Sequence, residues 1–185
     1  WIFCRKKLMT KFVTEKGNWH FHKALPKTYY IGVDCSSRAI HAVIVNKREQ
    51  LVAQGKWGST SKDFPARFLE ISRNFRSDVS IIDSNANVAV EAAIYIQNAA
   101  STIAIASVVA SVRTLLDIRD VDAVLCDNRH WKKHIIGKGN CNKIAIKDFT
   151  IHKWGDVFSE QDYSDAACIA LWIKRKVEGE LNEES

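Results

Sequence analysis

Residues 29–37, Tyr-Tyr-Ile-Gly-Val-Asp-Cys-Ser-Ser, constrain this chain more than any other stretch. An apolar run rich in aromatic and β-branched residues delivers one carboxylate, Asp34, and then breaks into small polar residues. Such a run favours a buried strand. A carboxylate at the end of it must meet a metal, a cation or donors, because an unpaired buried ion is costly. Asp-Cys-Ser-Ser is also good turn chemistry, so on this stretch alone the two readings stand level. Any fold for the chain has to place a strand here and settle what faces Asp34.

The pattern continues on both sides of it. Residues 39–46 and 50–57 read as two further strands after short polar turns, which makes an antiparallel meander. Phe64, Phe68, Ile71, Phe75, Val79 and Ile82 recur at spacings of three and four and predict a helix over 62–82, with Pro65 in its first turn. Val88 to Glu91 is a fourth strand that again ends on a carboxylate. The helix predicted over 98–117 is apolar on nearly every side, so it needs cover on more than one face, and a second copy of the chain is the natural second cover. Val121 to Cys126 is a fifth strand. A basic block follows, then a helix over 140–153 and a last helix from Ser164 to Lys176. Strands alternating with helices after a meander define an α/β layered domain.

Length and composition bound the rest. At 185 residues the chain is read as one domain with a full core. No run approaches the roughly 18 consecutive apolar residues of a membrane span, and the basic, aromatic start is unlike a signal peptide. Cys4, Cys35, Cys126, Cys141 and Cys168 are odd in number and form no C-x-x-C pair, which suggests reduced thiols in a cytoplasmic setting. Seven Lys/Arg against Glu15 in residues 1–27, and seven against Asp148 in residues 129–153, give each block a net charge of +6 on a body that is otherwise acidic. That distribution suits a polyanion such as nucleic acid, although charge runs are commonly just solvated surface. Residues 1–27 are read as a basic, aromatic extension, residues 28–177 as the folded domain and residues 178–185 as an acidic tail. Residues 1–8 precede the only methionine, Met9, and are read as non-native or as an upstream stretch.

Four carboxylates stand where apolar periodicity would not put them. Asp34 ends the first strand of the meander and Glu91 ends the fourth strand. Asp162 and Asp165 share a helix face at i and i+3, at the start of the last helix. An N-cap role for Asp162 and a first-turn charge for Asp165 explain one of the pair, but not both together with Asp34 and Glu91. Four carboxylates supplied by two strands and a helix can hold two Mg²⁺ ions for phosphodiester cleavage. His130 and His134, at i and i+4, could form a zinc pair with Cys126 or Cys141, but the surrounding lysines suit phosphate better.

The order strand-Asp, strand-Glu, helix-Asp-x-x-Asp resembles the RNase H-like superfamily, and more narrowly the RuvC-type Holliday junction resolvases of bacteria and phages. The likeness rests on Gly32-Val33-Asp34, on Glu91 followed seven residues later by Asn98, and on the stretch from Trp131 to Lys143. In that stretch Lys132, Gly137-Lys138-Gly139 and Lys143 fall at the family's spacings. The run Asp162-Tyr-Ser-Asp165-Ala-Ala-Cys-Ile-Ala completes it. Two departures stand out. Cys35-Ser36 replaces the family's frequent Pro-Gly. Ile94 occupies the place of the family's aromatic, so stacking at a junction centre would fall to Tyr95.

The resemblance implies an RNase H-like fold, a mixed five-stranded sheet of three antiparallel and two parallel strands flanked by helices. It implies catalytic Asp34, Glu91, Asp162 and Asp165 as ligands of two Mg²⁺, with Mn²⁺ able to substitute, and Lys143 beside them. It implies DNA contacts from Lys132, Lys133, Lys138, Lys143, Gly137, Gly139, Tyr95 and Asn98. The implied activity is resolution of four-way DNA junctions by paired symmetric nicks, performed by a homodimer joined through the 98–117 helix, in a bacterial or phage-infected cell and away from membranes. A looser nuclease for branched or flapped DNA, and a catalytically silent DNA-binding module, are the competing readings.

Overall fold

The computed structural model describes residues 14–94 and 98–181. Its strands are β1 (Thr14–Lys16), β2 (Trp19–Phe21), β3 (Tyr29–Cys35), β4 (Ala39–Asn46), β5 (Leu51–Gly58), β6 (Ala86–Glu91) and β7 (Ala123–Cys126). Its helices are α1 (Phe64–Asp78), α2 (Ala99–Asp117), α3 (Asn128–Ile136), α4 (Lys143–Trp154) and α5 (Gln161–Val177). The strands form one sheet in the order β1-β2-β5-β4-β3-β6-β7. The meander β3-β4-β5 is antiparallel, whereas β6 runs parallel to β3 and β7 parallel to β6. The chain therefore has the expected mixed α/β, RNase H-like architecture, with seven strands in place of the expected five.

The two additional strands come from the region read as an extension. β1 and β2 form a hairpin that adds to β5, with Trp19 opposite Gly55. Trp19 is buried and meets Trp57 edge-on, with ring centroids 4.9 Å apart. Asp78, at the end of α1, accepts from Asn18 N at 2.8 Å, Asn18 Nδ2 at 2.7 Å and Trp57 Nε1 at 2.8 Å. Gly17 turns the hairpin at φ 60°, and a Cβ there would strike the Asp78 carboxylate. Tertiary contacts thus make residues 14–21 a rim of the sheet.

Alternation along β3 sends residues to two faces. Tyr29, Ile31, Val33 and Cys35 face a core shared with α1 and α2, while Tyr30 faces a second core built around α5. Gly32 lies on the α5 side, where a Cβ would sit 2.0 Å from the Ala166 carbonyl oxygen and 2.2 Å from Ala170 N. The helix can lie directly on the strand only because Gly32 has no side chain. Two residues further along the same face is Asp34.

Two expectations need correction. The basic block is a helix, α3, begun by Asp127, whose side chain accepts from Arg129 N and His130 N, and closed by Gly137 at φ 91°. The last helix begins at Gln161 rather than Ser164, so Asp162 is inside its first turn and Glu160 takes the N-cap position. Helix α2 is long and apolar enough to cross a membrane, at a mean hydropathy of 1.7. Its Ala104, Val108, Val109, Val112 and Leu116 are nevertheless buried within the protein.

Candidate active site

The backbone brings the four predicted carboxylates to one end of the sheet. Asp34 sits one residue before the end of β3, and Glu91 ends β6, the parallel neighbour of β3. Asp162 and Asp165 project from the first turns of α5, which Gly32 seats against β3. Asp34, Asp162 and Asp165 each offer a carboxylate oxygen, and the three lie within 4.8 Å of one another. Glu91 reaches Asp34 by a side-chain hydrogen bond. Asp34 is buried and Asp165 half-buried.

Electrostatics follow from this crowding. Burial first, then the charges of Glu91, Asp165 and Asp162, push the Asp34 carboxyl well above the usual carboxylate range. Burial raises Asp165 to about 6, helped by Glu91 and Asp162 and opposed by the hydrogen bond from Gln161 Nε2 at 3.2 Å and by the Lys132 ammonium. Like charges gathered in a poorly solvated place disfavour ionisation. A hard divalent cation would relieve them, and an all-oxygen carboxylate donor set matches Mg²⁺ or Mn²⁺ rather than zinc. The residues present therefore fit the group: Asp34, Asp162 and Asp165 would hold it, with Glu91 alongside Asp34.

The surroundings contain groups that sequence reasoning missed. His41 is paired with Asp34 across the β3-β4 register and is buried. Its Nδ1 lies 3.7 Å from Asp162 Oδ2 and its Nε2 lies 3.3 Å from Glu160 Oε2. Burial lowers its pKa against the pull of Asp162 and Glu160. Lys56 Nζ donates to both oxygens of Glu160, at 2.6 and 2.7 Å. A groove of about 580 Å³ opens here between Asp162, His41 and the Ser36–Ala39 turn, with Arg38, Lys56 and Ser59 on its walls. The available signal was a lone histidine inside the apolar run of β4. On the other side, Glu91 Oε1 accepts from Trp131 Nε1 at 2.9 Å and from Asn128 Nδ2.

The predicted DNA-contacting residues divide into groups. Lys132 is half-buried, lies with Nζ 5.3 Å from the Trp131 ring centroid, and acts on Asp165. Lys133 and Lys138 are exposed on or just after α3. Lys143 is the exposed first residue of α4, behind the Asn142 cap. Burial raises the Cys141 thiol, with the Lys132 charge opposing the shift and the Asp165 charge adding to it. Gly137 and Gly139 have local reasons to be glycine: one ends α3 in the left-handed region, and a Cβ on the other would sit 2.9 Å from the Arg129 carbonyl oxygen. Asn98 caps α2, accepting from Ala100 N at 2.9 Å and Ser101 N at 3.3 Å. Tyr95 lies outside the described residues. His130 and His134 approach to 3.0 Å between Nε2 atoms, but the Cys126 thiol is buried and donates to the Asp127 carbonyl at 3.8 Å. Among the described residues no cysteine joins them in a metal-ligand cluster.

An α/β sheet with four carboxylates gathered beside the end of its central parallel pair is an RNase H-like fold with an acidic centre. No family model and no curated protein matches the chain. Solved structures do. Thermus thermophilus RuvC in complex with a Holliday junction substrate superposes with a TM-score of 0.68 at 12% identity, covering 82% of this chain and 94% of that one. A second Thermus thermophilus RuvC structure gives a TM-score of 0.67 at 13% identity, covering 82% and 97%. The fold is therefore that of RuvC.

Proposed function

We propose that the protein is a divalent-metal-dependent, structure-selective endonuclease that resolves four-way DNA junctions by paired nicks. One observation carries the reading: Asp34, Asp162 and Asp165 converge within 4.8 Å at the place where the fold brings β3 and α5 together. Two bound Mg²⁺ ions, with Mn²⁺ as a substitute, would supply water activation and leaving-oxygen stabilisation. The chain's own part is to bind and orient. Asp34, Glu91, Asp162 and Asp165 supply the ligand oxygens. The α3 basic face with Lys132 and Lys133, together with Lys138 just past the helix and Lys143, holds scissile-strand phosphate, and Tyr95 stacks at the junction centre. The purified protein incubated with Mg²⁺ should nick a synthetic four-way junction in preference to a flap or a plain duplex. Equal cutting of flap and junction would favour the looser branched-DNA nuclease, and no cutting of any substrate would leave a DNA-binding module.

Lys132→Ala combined with Lys143→Ala should weaken junction binding and flatten its dependence on salt by about two phosphate contacts. A slope equal to that of the unaltered protein would remove both lysines from the DNA surface.

Two symmetric nicks call for two symmetric sites, and α2 is the proposed dimer contact. The small residues Ala100, Ala104, Ser107 and Ser111 recur along α2 at three- and four-residue spacing, but that stripe is only partly open. Ala104 is buried, and Ser111 Oγ donates to Ser72 Oγ of α1 at 2.9 Å. The outward face is Ala99, Ile103, Ala106 and Ala110, with Ile103 64% exposed. Ile103→Glu should therefore give folded monomers that nick a junction on one strand at a time, whereas Ala104→Glu should unfold the chain. Sedimentation with circular dichroism on the same samples reads both, and a dimeric Ile103→Glu variant would place the interface elsewhere.

A further inference from the structure

We propose that Asn128 and Trp131 are positioning residues for Glu91: together they clamp one oxygen of its carboxylate and so present the other to the acidic centre. The inference rests on the metal-nuclease reading and adds the groups through which this chain sets its ligand geometry.

Both donors come from one face of α3, three residues apart. Trp131 Nε1 donates to Glu91 Oε1 at 2.9 Å, and Asn128 Nδ2 donates to that same oxygen. An indole N–H can only donate, so this contact cannot reverse its sense. Trp131 is fully buried, which prevents the ring from swinging away. The start of α3 is held by the Asp127 side chain, which accepts from Arg129 N at 2.9 Å and His130 N at 3.1 Å. The backbone just past Glu91 is held as well, because Ala92 N donates to the Cys126 carbonyl at 2.9 Å. With Oε1 engaged twice, Oε2 is left for the centre, where Glu91 and Asp34 are within hydrogen-bonding reach of each other.

The same helix carries Lys132, whose ammonium lies over the Trp131 ring and acts on Asp165. Phosphate binding on α3 and ligand placement at Glu91 are thus mechanically joined. A buried indole N–H needs some acceptor, but Asn128, half-exposed, could reach water instead and still donates to the same Glu91 oxygen.

The test uses Trp131→Phe, which keeps a buried ring and removes the N–H, and Asn128→Ala at the half-exposed start of the helix. Calorimetry with Mg²⁺ and with Mn²⁺ in the absence of DNA should show metal affinity lowered by about 10- to 100-fold, the range typical of lost outer-sphere contacts. Half-saturating Mg²⁺ for junction cleavage should rise in parallel, while junction affinity in chelator stays near that of the unaltered protein. If Trp131→Phe fails to fold, Asn128→Ala decides alone. Metal affinity equal to that of the unaltered protein in a folded variant overturns the clamp and leaves the metal-site reading standing. If the unaltered protein itself binds neither ion, the metal-site reading falls and the clamp with it.

Discussion

Gly32→Ala is expected to lower junction cleavage by 100-fold or more and to destabilise the protein, although Gly32 is neither a proposed metal ligand nor a proposed DNA contact. A Cβ at this position would lie 2.0 Å from the Ala166 carbonyl oxygen and 2.2 Å from Ala170 N, both backbone atoms of α5. Backbone cannot rotate out of the way as a side chain does, so the helix must lift or the strand must bend. Overpacking of this kind costs about 1–3 kcal/mol or more. The effect on chemistry should exceed the effect on folding. Helix α5 carries Asp162 and Asp165, and β3 carries Asp34. A lift of about 1 Å separates ligands whose oxygens must converge, and misplacement of that size can cost about 100-fold in rate. Melting curves with and without Mg²⁺, set beside cleavage rates, give the check. A variant that melts lower but cleaves at the original rate would show that α5 does not set the site.

Much of this arrangement could be read from residues alone, and the reasons are local. Asp34 and Glu91 each end an apolar run, and Asp162 and Asp165 repeat at helical spacing, so the periodicity broke at the carboxylates that the fold gathers. What escaped was what only three dimensions decide. The β1-β2 hairpin has two three-residue strands, too short for an alternation to register, and its anchor is Asp78, sixty residues away from Asn18. Helix α3 buries only Trp131 and Ile135, so its basic surface hid its period. An all-apolar helix such as α2 says that it is covered but not on which side, and Ala104 and Ala106 exchange roles within half a turn. The partners of Glu91, Asp162 and Glu160 come from α3, β4 and β5, and no spacing rule relates those segments to the acids they hold.

Asp34→Asn should abolish cleavage and, at the same time, stabilise the metal-free protein. The two effects have one origin. In the metal-free fold, burial and neighbouring acids raise Asp34 well above the ordinary carboxylate range and Asp165 to about 6. The unfolded chain releases those protons near pH 4. Between that pH and about 6 the folded protein binds more protons than the unfolded one, so stability falls as pH rises through this window. Stability from these groups is fully present below the unfolded value and lost above the folded one. Bound Mg²⁺ replaces those protons, and its benefit must therefore be largest at high pH. At a concentration about 100 times its dissociation constant, Mg²⁺ should stabilise by about 2.7 kcal/mol, or roughly 5–10 °C in melting temperature, at pH 7.5 and far less at pH 5. Asn at position 34 removes the most buried of the competing charges. The variant should melt higher than the unaltered protein at pH 7.5 without metal, show a shallower fall with pH, and gain little from Mg²⁺. Scanning calorimetry of both proteins at pH 5 and 7.5, with Mg²⁺ and with chelator, measures all three. If Asp34→Asn melts lower in chelator, Asp34 is held by donors in the fold rather than by repulsion awaiting a cation.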